Sequence, residues 1–203
     1  MKLYGTASCP YTRALRIVAR LHGVTPTFID TGRTLGDYAL REKNPLWETP
    51  TLEVAHVAYW GISEGVGMML SHLPEVDELH RPSTPEKQRA SVQQIHVAQV
   101  AFEALRNAYE IYSLGITTNA VLEAWEARGR RGLEWLEDNL DRTSLSRSFN
   151  PEGKLGVSEC LVYTVLDWLR EREAYPVDVH ARLERFSAAW ANEPAIVETR
   201  ERT

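Results

Sequence analysis

The chain changes character near residue 85. Up to about residue 74, short apolar runs of strand type alternate with helical patterns, and beyond residue 85 no strand pattern occurs. Alternating elements demand a sheet with helices laid on it, whereas an unbroken series of amphipathic helices demands a helical bundle. The expected fold is therefore α/β followed by all-α. An α/β domain spans 1–74, a linker 75–84 and an all-helical domain 85–203. The bridging stretch LPEVDELHRPSTPEKQ carries three prolines, many charges and no sustained period, as a linker does.

In the first part, Lys2 to Gly5 reads as a strand and Pro10 to His22 as a helix. Ala14, Leu15, Val18, Ala19 and Leu21 recur there at helical spacing, and Gly23 is a stop signal. Thr27 to Asp30 reads as a second strand, giving a βαβ start. Gly32 to Asn44 holds a short, irregular helix. Thr51 to Val54 and Val57 to Trp60 read as two more strands, although Ala55-His56 between them lacks the usual Asn-Gly turn chemistry. Ser63 is expected to cap a helix carrying Val66, Met69, Leu70 and Leu73.

In the second part, Pro85 to about Leu114 is one long helical pattern. A second spans Thr118 to Leu140, with Leu122, Trp125, Leu133, Leu136 and Leu140 on one side. Gly129 and Gly132 lie inside it. Glycine costs ~1 kcal/mol there relative to alanine, so a close helix crossing is expected at these positions. Ser158 opens a third helix with Leu161, Val165 and Leu169 inward. Asp178 opens a fourth with Val179, Leu183, Phe186 and Trp190 on one stripe.

Composition excludes several classes. The 203 residues are 43% hydrophobic and 25% charged, with a net charge of -5, which argues against a nucleic-acid binder. No apolar run approaches membrane-spanning length, and no secretory signal precedes the first strand. Two cysteines cannot form a disulfide framework, so a reducing, cytoplasmic setting is expected. His22, His56, His72, His80 and His180 have no metal-ligand spacing, so no metal is expected.

Cys9 stands where the first strand ends and the first helix begins. Free amides and the positive end of the helix dipole favour an anion there, so a thiolate gains from both. Arg13 and Arg16 add positive charge nearby. Position alone leaves two readings, a reactive thiol and a small buried filler. Thr12 occupies the place of a second cysteine, so no local dithiol exists, while a monothiol reaction through a mixed disulfide with a small thiol stays open. Cys160, flanked by apolar residues inside a helix, reads as core.

Further on, NPLWETPTLE places Pro50 directly before a strand, where proline is tolerated. Ser63 and the amides beyond it form a helix start able to take a carboxylate.

These features occur in a fixed order: SCPYT on the first strand–helix turn, NPxxxTPTL before the third strand, a serine at the next helix start, then helices only. The pattern resembles the cytosolic glutathione transferase superfamily over essentially the whole chain. CPYTRALRIVARLHGV resembles the omega type, also met in bacterial-type members. The resemblance implies a thioredoxin-like N-terminal domain of order βαβαββα, an all-helical C-terminal domain, a homodimer and glutathione as co-substrate. In the omega type the cysteine, here Cys9, forms the mixed disulfide, while serine-type classes use a hydroxyl of the same loop, here Ser8.

By the same resemblance, glutathione contacts fall on Tyr11, on Arg33 or Lys43 for the glycine carboxylate, on the Thr49 backbone with Pro50 cis, and on Ser63 and Glu64. Where the family carries an acid before that serine, this chain has Ile62. Gly156-Val157-Ser158 resembles the family's helix cap, with Leu161 where its acidic partner is expected, and Pro194-Ala195 resembles the last helix.

The helix from Pro85 carries a polar stripe of His96, Gln99, Glu103, Arg106 and Glu110 beside a stripe of small residues. Gln99, Arg106 and Tyr109 are candidates to line a second-substrate pocket. The leading expectation is a glutathione transferase conjugating a small electrophile or transferring glutathione to and from a disulfide. The alternatives are a non-catalytic relative acting as a binding or scaffold module, and a cysteine oxidoreductase using another thiol.

Overall fold

Strand β1, Lys2–Gly5, lies inside a four-stranded sheet of order β2-β1-β3-β4. The computed structural model describes every residue except 74, 75, 77–79, 83, 145, 146 and 201–203. Residues 75, 77–79 and 83 of the expected linker thus lie outside the described residues. The chain divides into two units, Met1–Pro82 with Asn192–Thr203, and Ser83–Ala191.

The first unit is built in the expected order, with α1 Pro10–Leu21, β2 Thr27–Asp30, α2 Thr34–Lys43, β3 Thr51–Val54, β4 Val57–Trp60 and α3 Ile62–Ser71. β2 runs parallel to β1, while β3 is antiparallel to both β1 and β4. Strand alternation puts Leu3 and Leu52 on one face. They are buried with Leu15, Ile17 and Val18 of α1 and Ile62, Val66, Met69 and Leu70 of α3. α2, read as irregular from its polar sequence, is a regular ten-residue helix. The β3–β4 hairpin forms despite its poor turn sequence. Ala55 and His56 both take positive φ, 48° and 68°, the mirror-image geometry that matches strand twist. The pairing of Val54 with Val57 imposes it.

Asn192–Thr203 returns to this unit, where the short helix α8, Pro194–Val197, packs against α1 and Glu198 pairs with Arg20 at 3.3 Å.

The second unit contains α4 Pro85–Ser113, α5 Ala120–Asn139, α6 Val157–Glu171 and α7 Ala181–Trp190. Thr84 and Asn119 cap α4 and α5 with their side-chain oxygens. The glycines of α5 mark a close crossing with α4. A Cβ added at Gly129 would lie 2.4 Å from Leu105 Cγ, and one at Gly132 2.6 Å from Ala101 Cβ. α6 is almost wholly buried, with Cys160 in the core beside Leu161, Val165 and Leu169.

The starts of α6 and α7 differ from expectation. α6 begins one residue before Ser158, at Val157, with Gly156 in the cap position. The acid three residues beyond that cap is Glu159 rather than Leu161, and its Oε2 accepts from the Gly156 N–H at 3.0 Å. α7 begins at Ala181 rather than at Asp178, because Val177–Val179 closes on itself as a single 3-10 turn. Val179 is consequently exposed and leaves the apolar stripe, while Leu183, Phe186 and Trp190 stay buried. Glu137 of α5 supplies the cap instead, its Oε1 accepting from the Arg182 N–H at 2.7 Å.

Candidate functional site

Cys9 is the cap residue of α1, in extended conformation, with Pro10 as the first helical residue. Its backbone is fully committed, the N–H donating to the Thr6 carbonyl at 3.3 Å and the carbonyl accepting from the Arg13 N–H at 2.9 Å. Its side chain makes no capping bond. The half-buried sulfur instead accepts from the Thr49 hydroxyl, Oγ1 to Sγ 3.7 Å. Residues forty apart in sequence thus meet at the amino end of α1, where partial positive charge collects.

Of the two arginines expected near this thiol, Arg16 is engaged elsewhere. The Arg16 guanidinium sits 5.0 Å over the Phe28 ring, and burial, then Arg13 and Arg20, pushes its pKa down. Arg13 is buried. Ser8, the rival to Cys9, is half-buried and donates weakly to Thr6 Oγ1 at 3.4 Å. Tyr11 is half-buried in the first turn of α1.

Thr49–Pro50 is a cis peptide. Pro50 is buried and its carbonyl accepts from the Gly61 N–H at 3.1 Å. Among the described residues, no hydrogen bond engages the backbone N–H or C=O of Thr49.

A residue overlooked in the sequence organises this loop. Asn44, wholly buried, ends α2. Its Oδ1 accepts from the Leu46 N–H at 2.8 Å, and its Nδ2 donates to the Glu48 carbonyl at 3.0 Å and to Thr51 Oγ1 at 2.9 Å. Thr51 Oγ1 in turn donates to the Glu48 carbonyl at 2.8 Å. One amide thereby fixes both ends of the segment that carries Thr49. The NP pair at the head of NPLWETPTLE was the available signal, since Asn commonly bonds the backbone two residues on.

The two cations proposed for a carboxylate are placed differently. Lys43 Nζ lies 3.4 Å from Oε1 of Glu53, a buried carboxylate on β3 that also accepts from the Tyr4 hydroxyl at 2.6 Å. That phenol bond, against the cost of burial and with help from Lys43 and Lys2, holds Glu53 below the usual carboxylate range. Burial and Glu53 push Tyr4 up to about 12. Arg33 precedes α2, is 85% exposed and pairs with Asp30 at 3.3 Å.

At α3, the cap residue is Gly61 rather than Ser63, which stands second in the helix. Gly61 takes φ +88°, open to glycine without strain. It has no side chain to close the first amides, and Ser63 and Glu64 are exposed beside them. The Glu64 carboxylate folds back over Gly61, where an added Cβ would meet its Oε2 at 2.9 Å. Ile62 is buried, so its side chain belongs to the core.

Gln99, Arg106 and Tyr109 share a face of α4 in the second unit. Gln99 is half-buried, Arg106 Nε pairs with Glu110 at 3.4 Å, and the Tyr109 ring packs edge-on against Trp168 of α6 at 5.9 Å. A cavity of about 390 Å³ in this unit is bordered by Arg170, Tyr175, Val177 and Glu184. None of Gln99, Arg106 and Tyr109 borders it. Among the described residues no cluster of His, Cys, Asp and Glu is arranged to hold a metal ion, and no helix is long and apolar enough to cross a membrane.

No protein-family model and no curated protein matches the chain. Solved structures do. A glutathione S-transferase from Methylobacillus flagellatus KT, solved with GSH bound, superposes with a TM-score of 0.81 over 99% of each chain at 20% identity. A glutathione transferase family member from Pseudomonas fluorescens Pf-5, solved with bound glutathione, gives 0.79 over 100% of this chain and 99% of that one at 17% identity. Glutathione transferase Omega 3C from Trametes versicolor gives 0.77 over 99% and 89% at 13% identity. At such identities the likeness speaks for architecture, and the chain has the glutathione S-transferase fold, a thioredoxin-like unit joined to an all-helical one.

Proposed function

We propose that this chain is a glutathione-dependent transferase whose working group is the Cys9 thiolate. The observation that carries this reading is the meeting of Cys9 and Thr49: a thiol at a helix amino end stands beside a backbone edge whose N–H and C=O are unengaged among the described residues. A cysteinyl peptide needs both, a strand edge to dock on and a sulfur to react with. That proteins of this fold were solved with glutathione bound supports the choice of thiol.

The γ-glutamyl carboxylate is assigned to the uncapped amides of α3 with the Ser63 hydroxyl, and Glu64 to the adjacent ammonium. Arg33, more accessible than the Glu53-bound Lys43, takes the glycine carboxylate. Gln99, Arg106 and Tyr109 are retained as the second-substrate surface. We expect a homodimer.

In thiol transfer, the Cys9 thiolate attacks the glutathionyl sulfur of a mixed disulfide GS–SR. The Cys9–SG bond forms, the S–SR bond breaks, and the electron pair leaves on RS⁻, which takes a proton from water. A glutathione thiolate then attacks the glutathionyl sulfur of the adduct. Oxidised glutathione departs and the pair returns to Cys9. In conjugation, glutathione held at the same edge attacks an electrophile.

Intact mass after incubation with oxidised glutathione tests this. The parent gains one glutathionyl group and Cys9→Ala gains none. Conjugating activity lost in Ser8→Ala but kept in Cys9→Ala would move the role to the hydroxyl. A protein that neither forms the adduct nor is retained on glutathione resin is instead a binding module, the reading that Ile62 in the place of an acid favours.

A further inference from the structure

Thr49 enters the reading above through its backbone. Its side chain is not explained by that role. A residue needed only as a docking edge requires no hydroxyl, and valine has the same branched shape. Yet Oγ1 is directed at Cys9 Sγ, 3.7 Å away, and makes no other hydrogen bond among the described residues. The loop that delivers it is pinned by the buried Asn44 amide through Glu48 and Thr51, so the hydroxyl is held to the sulfur rather than left to rotate with a free loop. The cap position of Cys9 meanwhile leaves the sulfur without a backbone donor of its own.

We propose that the Thr49 hydroxyl is a catalytic residue of the thiol reaction, donating its proton to the Cys9 sulfur as a hydrogen bond whenever that sulfur carries the electron pair. This rests on Cys9 being the working thiol. When the adduct is resolved, the Cys9–SG bond breaks and the pair lands on Cys9. A donor already aimed at that atom stabilises the departing thiolate, and a better-stabilised thiol leaves faster. On attack the bond acts in two directions, holding the thiolate while dulling its nucleophilicity, so the forward half-reaction changes little. The hydroxyl thus biases the site toward release of glutathione over storage of the adduct.

The test is the position of the adduct equilibrium at about pH 9.5, above the ordinary thiol range. Parent, Thr49→Val and Thr49→Ser are equilibrated in mixtures of reduced and oxidised glutathione and weighed intact, with Cys9→Ala subtracted. Loss of a hydrogen bond to a charged group is expected to raise the reduced-to-oxidised ratio at half-adduct about tenfold in Thr49→Val. Thr49→Ser, which keeps the hydroxyl, stays within about twofold of the parent. Resolution by reduced glutathione slows by the same factor in Thr49→Val alone. Equal half-adduct ratios in all three proteins overturn the proposal. Should Thr49→Val fail to fold, Thr49→Ala against Thr49→Ser decides the same question. A parallel arm uses 2-hydroxyethyl disulfide with 2-mercaptoethanol. A valine shift there with no glutathione adduct in the parent would sink the glutathione reading and keep the Thr49 role.

Discussion

The Tyr4 hydroxyl donates to Oε2 of Glu53 across β1 and β3 at 2.6 Å. Both groups are buried, and each moves the other's titration. Tyr4 is raised from 10.0 to about 12, so its contribution to stability is whole below pH 10 and is lost as pH rises toward 12. Glu53 is lowered from 4.5, so its contribution is present above that value and is lost as pH falls through the folded-state value. Tyr4→Phe is expected to cost about 2 kcal/mol at neutral pH. It should also flatten the alkaline limb and weaken the acid one. Urea midpoints at pH 5, 7 and 11 check this. An alkaline limb as steep as the parent's would show that burial and the Glu53 bond together do not raise Tyr4.

Asn44 gives a second test, independent of glutathione. Its amide nitrogen faces two oxygens, the Glu48 carbonyl and Thr51 Oγ1. Asn44→Asp keeps the shape and the acceptor for Leu46 but turns an oxygen toward the Glu48 carbonyl. The charge and the lost donor together should cost at least as much as Asn44→Ala, about 2–3 kcal/mol. Because the amide holds the Thr49 segment, both variants should also shift the rate at which iodoacetamide alkylates Cys9 under native conditions. A near-neutral Asn44→Asp would mean that the side chain is flipped from the orientation given.

Ser63 and Glu64 test the assignment of the γ-glutamyl end. Ser63→Ala removes a hydroxyl beside the open amides of α3 but leaves the amides, so half-saturation by glutathione should rise about tenfold. Glu64→Gln keeps size and removes charge. If Glu64 meets the ligand ammonium, the rise should shrink for a glutathione analogue lacking that amine. Isothermal titration reads both. Unchanged affinity in Ser63→Ala places the ligand elsewhere.

What could be read from the sequence was local. The element order of the first unit follows from alternating periods, the place of Cys9 at a helix start from a strand running into Pro10, and the α4–α5 crossing from two glycines inside a helix. The misplaced starts of α6 and α7 share one cause. In each, the capping group is a carboxylate that neither Ser158 nor Asp178 reveals: Glu159 for α6, and Glu137 on another helix for α7. The Ala55-His56 turn is set by strand pairing rather than by its own residues. At the candidate site, Cys9 and Pro50 were legible, while the Asn44 hub and the Thr49 hydroxyl were not. They depend on how residues 44–51 fold back on themselves, and no period records that.

The crossing itself makes a prediction. Gly129→Ala gains about 1 kcal/mol of helix propensity but drives a methyl to 2.4 Å from Leu105 Cγ, a buried side chain on α4. Overpacking of this kind costs ~1–3 kcal/mol, so a net loss of about 0–2 kcal/mol is expected. Leu105→Ala creates a cavity that this methyl can partly fill. The double variant should therefore be less destabilised than the two single costs added. Simple additivity in urea unfolding would show that the helices do not meet at this pair.

Glu159 makes the last prediction and the largest. The carboxylate is 2% exposed and accepts from the Phe149 N–H at 2.8 Å, Asn150 Nδ2 at 2.9 Å and the Gly156 N–H at 3.0 Å. It thereby ties the loop before α6 to the helix start. Burial pushes its pKa up, and these donors oppose that without cancelling it. A carboxyl raised in the folded state contributes stability that is whole below its ordinary 4.5 and is lost as pH rises through the folded value. Glu159→Ala orphans the Phe149 and Gly156 N–H groups and leaves Asn150 Nδ2 only the Lys154 carbonyl at 2.9 Å, and should cost about 3–5 kcal/mol. Glu159→Gln keeps an acceptor and cannot ionise. It should cost less, and it should remove the part of the parent's stability loss that occurs on raising pH from 4 upward. The discriminating measurement is the difference in unfolding free energy between parent and Glu159→Gln as a function of pH. It should narrow as pH rises. A difference that widens instead would mean that the donors outweigh burial and that the carboxylate, not the acid, is the form the fold prefers.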